Sequence, residues 1–318
     1  MVFRATRTPR VADLAVIDIM PSAFPCNPQK IKTTPSWIQD LEDTTVVGYE
    51  SADAFLANCA GWLSKREDLN HGLLSLADAL RSNKHIHRPP FAYCHVASKA
   101  EMVGCAIFAE PDGLVLSETN LDTSAAFFRY LYDRVGVPSR IFGPVAPALR
   151  VAELFAAASN RTYEIHSKWR VHRLDQSQDQ DIRVRGQLTL GTVEDQQLVS
   201  RWGEEYDAEK PANVNIQQFL LRKLEDGLLY FWKDEGPKAL ATISGTSCTG
   251  PRISAVFTPR LLRGNGYAFA MVYQLGNNYF ESGSSYITLN TELGDPVERM
   301  YGKIGYRIIG EKASVVFK

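Results

Sequence analysis

Nowhere in the 318 residues is there an apolar run approaching the roughly 18 residues that a membrane-crossing helix needs. Charge of one sign is also missing. The 35 Lys and Arg balance 36 Asp and Glu, leaving a net −1. A nucleic-acid binder usually shows a basic excess, so neither a nucleic-acid nor a membrane partner is expected. Cysteine is sparse. Cys26, Cys59, Cys94, Cys105 and Cys248 are scattered, odd in number and form no Cys-x-x-Cys pair, which reads as free thiols in a reducing cytosol. Arg4, Arg7 and Arg10 open the chain without an acid between them, as a transit peptide would. No long Ser-rich amphipathic stretch follows, and a cytoplasmic location is expected. His85-Ile86-His87 with Cys94 and His95 is the one cluster of metal-ligand types. A His-x-His on a loop before a strand reads as solvent-exposed, so no metal is expected. Residues 183–318 hold no histidine at all.

What is present suits two α+β domains. Ala52 to Leu63 places Phe55, Leu56, Cys59, Trp62 and Leu63 at helical spacing, and Leu73 to Leu80 reads as a second helix. Phe91–Ala97, Met102–Phe108 and Leu114–Ser117 read as a three-strand meander. A helix over Ser124–Val135, a strand over Arg140–Phe142, a helix over Val151–Ala158 and a long alternating strand over Tyr163–Leu174 follow. The polar run Asp175 to Asp181 has nothing to bury and reads as a linker, dividing the chain into 1–178 and 183–318. The second part repeats the order loosely. It has a strand Gln187–Leu190, then Thr192 as an N-cap before Val193-Glu194-Asp195, helices through Leu198 and Trp202 and over Ile216–Leu224, and a hairpin Leu228–Trp232 with Ala239–Ser244.

The apolar run Ile253 to Phe257 leads through Thr258 and Pro259 into Arg263-Gly264-Asn265-Gly266-Tyr267-Ala268, and a helical stretch follows to Phe280. Strand, Gly-rich turn and helix N-terminus in that order suit a bound phosphate. Glycine lets the backbone approach an anion, and the first-turn N–H groups and the helix dipole both favour negative charge. A Gly-rich turn there is also simply a turn. Beyond it come a strand over Tyr286–Leu289, a loop Thr291–Pro296, a short helix Val297–Lys303 and a last strand opening at Gly305-Tyr306.

Arg263-x-x-Gly266-x-Ala268 resembles the pyrophosphate loop of GNAT-family N-acetyltransferases, Gln/Arg-x-x-Gly-x-Gly/Ala. Tyr301-x-x-x-Gly305-Tyr306 resembles their C-terminal Tyr-x-x-x-Gly-Tyr/Phe pattern. The two motifs fall in the family order across roughly the last 70 residues, a reading that rests on order and context. The resemblance implies an α+β fold of two tandem GNAT-like acyl-CoA N-acyltransferase domains, each a mixed, mostly antiparallel sheet flanked by helices. In the first, Glu118-Thr119-Asn120-Leu121-Asp122 stands where the phosphate loop belongs, and its two acids would repel a pyrophosphate. The first domain is therefore expected to be degenerate, and the second to bind acetyl-CoA or another acyl-CoA.

The resemblance also implies roles. Arg263, Gly264, Asn265, Gly266, Tyr267 and Ala268 would hold the diphosphate. Val256, Phe257 and Thr258 would line the pantetheine arm, with one of the first two side chains filling core because strands alternate faces. Tyr301 would protonate the departing thiolate, since a phenol with a reference pKa near 10 is a donor at neutral pH. Asp295 stands where the family commonly has Asn, and a carboxylate cannot donate an amide hydrogen bond. For the base, Glu204 and Glu205, with Asp207, form the best carboxylate set, which also reads as an ordinary acidic surface; a water relay is the alternative. The implied function is transfer of an acyl group, most simply acetyl, from CoA to a small-molecule amine within a ternary complex, by a monomer or homodimer. The alternatives are a non-catalytic acyl-CoA-binding or scaffold protein, and a transferase that takes aminoacyl-tRNA as donor.

Overall fold

The computed structural model describes residues 15–17, 44–82, 87–176, 182–209, 215–245 and 249–318. Cys26 and Cys248, His85 and Ile86, the N-terminal arginines and most of the polar run after Gln176 lie outside the described residues. Cys59, Cys94 and Cys105 are free and buried. No helix among the described residues is long and apolar enough to cross a membrane.

The chain divides into two compact units, residues 1–168 with 312–318, and residues 169–311. The first contains β1 (Ala15–Ile17), β2 (Thr44–Tyr49), α1 (Ala52–Leu63), α2 (Glu67–Arg81), β3 (Arg88–Ser98), β4 (Glu101–Glu110), β5 (Gly113–Leu116), α3 (Leu121–Val135), β6 (Arg140–Pro144), α4 (Val145–Ser159) and the start of β7 (Tyr163–Leu174). The second holds β8 (Gln187–Leu190), a 3-10 turn Val193–Asp195, α5 (Gln196–Glu209), α6 (Ile216–Glu225), β9 (Leu229–Lys233), β10 (Pro237–Ser244), β11 (Arg252–Phe257), α7 (Tyr267–Glu281), β12 (Ile287–Glu292), α8 (Glu298–Ile304) and the start of β13 (Arg307–Phe317). From β2 and from β8 onward the order is the same: strand, two helices, three strands, helix, strand, helix, strand.

The last strand of each repeat is exchanged. In the first unit the order runs β1-β2-β3-β4-β5-β6-β13, with Lys312 to Val316 of β13 antiparallel to Pro144 to Arg140 of β6. In the second it runs β7-β12-β11-β10-β9-β8, with Leu174 to Trp169 of β7 antiparallel to Ile287 to Glu292 of β12. A linear division into 1–178 and 183–318 cuts the chain after β7. By packing, the cut falls inside β7, and residues 312–318 return to the first unit.

Both sheets are mostly antiparallel with one parallel step, β5 beside β6 and β11 beside β12. In the second unit, alternation sorts the side chains onto two faces. Ala239, Ala241 and Ile243 of β10 pack with Met271 and Leu275 of α7, while Leu240 packs with Trp202 of α5 and Leu220 of α6. Phe231 is fully buried on the latter side. Burying a side chain of that size contributes about 1.5–3 kcal/mol. Thr192 and Asp195 form a reciprocal capping box ahead of α5, the start signal that Thr192 carries in the sequence. Helix α8 begins at Glu298 and strand β12 runs to Glu292, so Thr291 and Glu292 are strand where the sequence suggested loop.

Candidate functional site

The loop between β11 and α7 opens with a 3-10 turn, Arg260–Leu262. Gly264 and Gly266 follow with φ of 83° and 79°, the left-handed region that suits glycine. Gly266 is the N-cap of α7, and no side chain caps the helix among the described residues. Its first turn carries no acid. The donors of that turn therefore have no side chain set against them, the condition under which a helix start receives an anion. A Cβ at Gly266 would sit 2.9 Å from Val184 Cγ2, whereas one at Gly264 would meet nothing within 4 Å. Asn265 braces the loop, its Nδ2 donating to the carbonyls of Leu262 at 3.0 Å and Arg263 at 3.3 Å.

Arg263 is engaged within the protein. Its Nε donates to the Thr258 carbonyl at 2.9 Å, and its Nη2 is ion-paired with the Glu209 carboxylate at the end of α5. Its guanidinium stands 6.0 Å from the centre of the Phe257 ring.

Strand β11 is bulged at its end. Thr242 faces Ser254 and Leu240 faces Phe257, so Ala241 alone opposes Ala255 and Val256. Ala255 takes a φ of 47°, a strained value for a residue with a Cβ. The extra residue changes the faces. Ile253 and Val256 pack on the α7 side, while Ala255 and Phe257 pack on the α5 side. Phe257 is buried and stacks on Tyr206 at 5.3 Å, with Trp202 edge-on at 6.1 Å. It thus fills core, and Val256 stays half-buried. The parallel pairing of β11 with β12 is confined to Arg252 with Thr288 and Ile253 with Leu289. Beyond that point no further residue pair joins the two strands, although β11 runs on to Phe257 and β12 to Glu292. The Thr258 hydroxyl, just past the opening, is buried without a partner among the described residues. An opened strand edge, an unsatisfied hydroxyl and an uncapped helix start lie in succession along one chain segment. These groups fit an extended arm ending in a diphosphate.

Tyr301 is buried on α8. Burial, then the nearby Tyr206 phenol and Asp295 carboxylate, raise its pKa above that of a free phenol. Its ring lies 5.9 Å from Tyr306 and 6.2 Å from His172. Asp295 turns its carboxylate onto its own chain, accepting from the Val297 N–H at 3.0 Å, in the turn that starts α8.

The α5 acids divide by face. Trp202, Tyr206 and Glu209 stand at i, i+4 and i+7 and share the stripe that meets Phe257 and Arg263. Glu204 is exposed and accepts from Gln217 Nε2 at 2.8 Å. It lines a cavity of about 510 Å³ with Gln196, Ser200, Arg201 and Leu221. Glu205 is exposed and lies 4.0 Å from Arg201 Nε. Neither is among the groups that act on the Tyr301 phenol. Asp207 is structural, accepting from the Ile216 and Gln217 N–H groups at the start of α6.

Three residues of this neighbourhood escaped the sequence reading. The i, i+4 spacing of Trp202 and Tyr206 was a signal for Tyr206. Glu209 required the helix face to be weighed above the acidic cluster. His172 had no local signal. It belongs to β7, and only the strand exchange sets it beside β12, in the part of the chain (183–318) that lacks histidine.

No protein-family model matches the sequence, and no curated protein does. Solved structures match it. A GNAT-family acetyltransferase from Colwellia psychrerythraea is 11% identical at a TM-score of 0.51, covering 86% of this chain and 98% of its own. A GCN5-related N-acetyltransferase from Sphaerobacter thermophilus is 16% identical at 0.51, covering 84% and 91%. A Drosophila protein solved by a structural genomics consortium is 11% identical at 0.55, covering 83% and 87%. The similarity spans both units, and the fold of this chain is that of the GNAT N-acetyltransferases.

Proposed function

We propose that the second unit binds an acyl-CoA and transfers its acyl group to the amine of a small molecule. The observation that carries this reading is the uncapped start of α7 behind two left-handed glycines, continuous with the bulged and opened end of β11. The fold shared with GNAT acetyltransferases supports the same chemistry.

Arg263, Gly264, Asn265, Gly266, Tyr267 and Ala268 receive the diphosphate. Backbone N–H groups do most of the holding, because Arg263 is already paired with Glu209. The bulge at Ala255 leaves the backbone around Val256 out of the ladder and available to the pantetheine amides, and the unpartnered Thr258 hydroxyl lies at the end of that track. A bound acyl-CoA supplies an activated thioester. The amine nitrogen attacks its carbonyl carbon, the carbon–sulfur bond breaks, and the thiolate takes the Tyr301 phenol proton. Burial keeps that proton in place across the neutral range, so Tyr301 begins each turnover as the neutral phenol, and the phenolate left by donation regains a proton from water. The proton lost by the amine goes to water. Glu204 and Glu205, exposed and engaged with Gln217 and Arg201, supply a negative surface that attracts a cationic amine. Asp295 sets the start of α8 rather than contacting pantetheine as an amide would.

Isothermal titration with acetyl-CoA tests the reading directly. Binding heat is expected, and native mass spectrometry of the protein as isolated should show a CoA species. Absence of heat with acetyl-CoA and with longer acyl-CoAs would overturn it.

A further inference from the structure

We infer that His172, brought into the second unit by β7, is the positioning residue that sets Tyr301 for proton donation. The inference rests on the acyl-transfer reading of this same site. Helix α8 has only seven residues and no side-chain N-cap. Besides the buried Tyr301 and Ile304 and the Asp295 turn before it, its first residue, Glu298, ties it to the strands. Glu298 Oε2 accepts from Arg170 Nη1 at 2.8 Å, and Oε1 accepts from the Thr291 hydroxyl at 3.1 Å. The Thr291 oxygen is in turn 2.8 Å from His172 Nε2. Arg170 is held from its other side by Glu311, at 3.1 Å. Arg170 and His172 are two apart on β7 and share a face; Thr291 is on β12, beside them.

The donors and acceptors admit one arrangement. A carboxylate only accepts, so the single Thr291 hydroxyl hydrogen goes to Glu298. The Thr291 oxygen must then accept from an N–H on His172 Nε2. Burial lowers the His172 pKa, which keeps the ring neutral in neutral solution, so the ring is the Nε2–H tautomer with Nδ1 unprotonated. The charged and titratable groups facing it are Arg170 on its own strand and Glu298 and Tyr301 on α8. Tyr301 lies one turn beyond Glu298, and its ring is 6.2 Å from the imidazole. A strand from the first repeat thus fixes the first turn of the helix that carries the proposed acid. Residues 183–318 alone lack that anchor.

Nitrogen-15 NMR of the intact chain, labelled at histidine and assigned by the signal missing in His172→Gln, reads the tautomer without any turnover. The Nε2–H form is expected; the Nδ1–H form would overturn the relay. In steady-state acetyl transfer, His172→Leu should lower kcat by about 10- to 100-fold, the scale of a reacting group displaced by an ångström or so. KM for acetyl-CoA should hold, because the phosphate loop is on other elements. His172→Gln, which retains an N–H at similar reach, should restore most of the rate. Thr291→Val removes the same link with little change of shape. It should match His172→Leu, and the double variant should be no slower than either single one. Full kcat in both His172→Leu and Thr291→Val, with Tyr301→Phe slow, overturns the inference and leaves the acyl-transfer reading standing. Full kcat in Tyr301→Phe removes the acid role itself.

Discussion

The two units carry the same element order and differ at one corner. In the first, the helix after the third strand of the meander is closed by its own sequence. Asn120 is the N-cap of α3, its side chain accepts from the Thr123 N–H at 2.7 Å, and the Ser124 hydroxyl donates to the Asn120 carbonyl. In the second, the matching helix α7 starts from Gly266 with no side-chain cap. The strand before it differs as well. The pairing of β4 with β5 runs without a shift from Ala109 to Ala106, and the Ser117 N–H continues it onto the Cys105 carbonyl. Strand β11 instead bulges at Ala255. The neighbouring parallel strand stays close in the first unit, where a Cβ on Gly143 would come within 2.9 Å of Leu116 Cβ. The parallel pairing itself is two residue pairs long in both units, so the contrast rests on the cap and on the bulge. One repeat satisfies its backbone internally, and the other leaves it open at the corner where a ligand would complete it. An uncapped helix start is a loss in an apo protein, and it becomes a gain only when an anion is present.

The sharpest way to break the contrast is Gly266→Glu. It forces a side chain into a left-handed position and adds negative charge at the proposed diphosphate site. Titration heat with acetyl-CoA should vanish while the fold, read by circular dichroism, persists. Undiminished binding would move the donor site elsewhere, and robust transfer activity in this variant would favour an aminoacyl-tRNA donor. Next in size is Tyr301→Phe, which should lower kcat by about 10²-fold with acetyl-CoA binding unchanged, as loss of a general acid does. An unchanged rate of thiol release would make the second unit a binder without catalysis. Third is the first unit's own cap. Asn120→Ala should lower stability in urea unfolding by about 1 kcal/mol and leave acetyl-CoA heat untouched. A change in that heat would show that the closed corner also takes part in donor binding. The smallest effect concerns the Arg263–Glu209 pair. A diphosphate must compete with the Glu209 carboxylate for Arg263, so Glu209→Gln should tighten acetyl-CoA by about two- to fivefold, the modest scale of a half-exposed ion pair. Weaker binding would mean instead that the pair serves to hold the loop in shape.

Much of the fold was legible because its signals are local. Thr192 before Val193-Glu194-Asp195 specifies a helix start through a cap made within four residues, and the structure forms it. Tyr163–Leu174 and Gln187–Leu190 alternate as strands and end where their patterns end. Gly264 and Gly266 mark positions where the backbone turns left-handed. The bulge was not legible, because Ala255 carries a φ that only a glycine would have announced. Nor was the fate of Arg263, whose neighbours Thr258 and Phe257 are near in sequence but whose carboxylate partner, Glu209, is far from it. The acidic run on α5 misled for a related reason. Glu204 and Glu205 are adjacent in sequence, yet the helix turns Tyr206 and Glu209, rather than Glu204, toward β11 and the loop.

The sequence by itself determined the order of elements from α1 onward, though not β1 and β2, together with the Gly-rich turn ahead of α7 and the Tyr301–Tyr306 pattern, since periodicity, capping and left-handed turns are each settled by a few neighbouring residues. Tertiary structure alone decided which strand completes which sheet. The exchange that pairs β7 with β12 and β13 with β6 puts His172 beside Tyr301 and closes the first unit with residues 312–318. Strand pairing is specified by which hydrophobic faces meet after the chain has folded back on itself. Two repeats of similar pattern offer their last strands nearly equivalent partners, and only packing chooses between them.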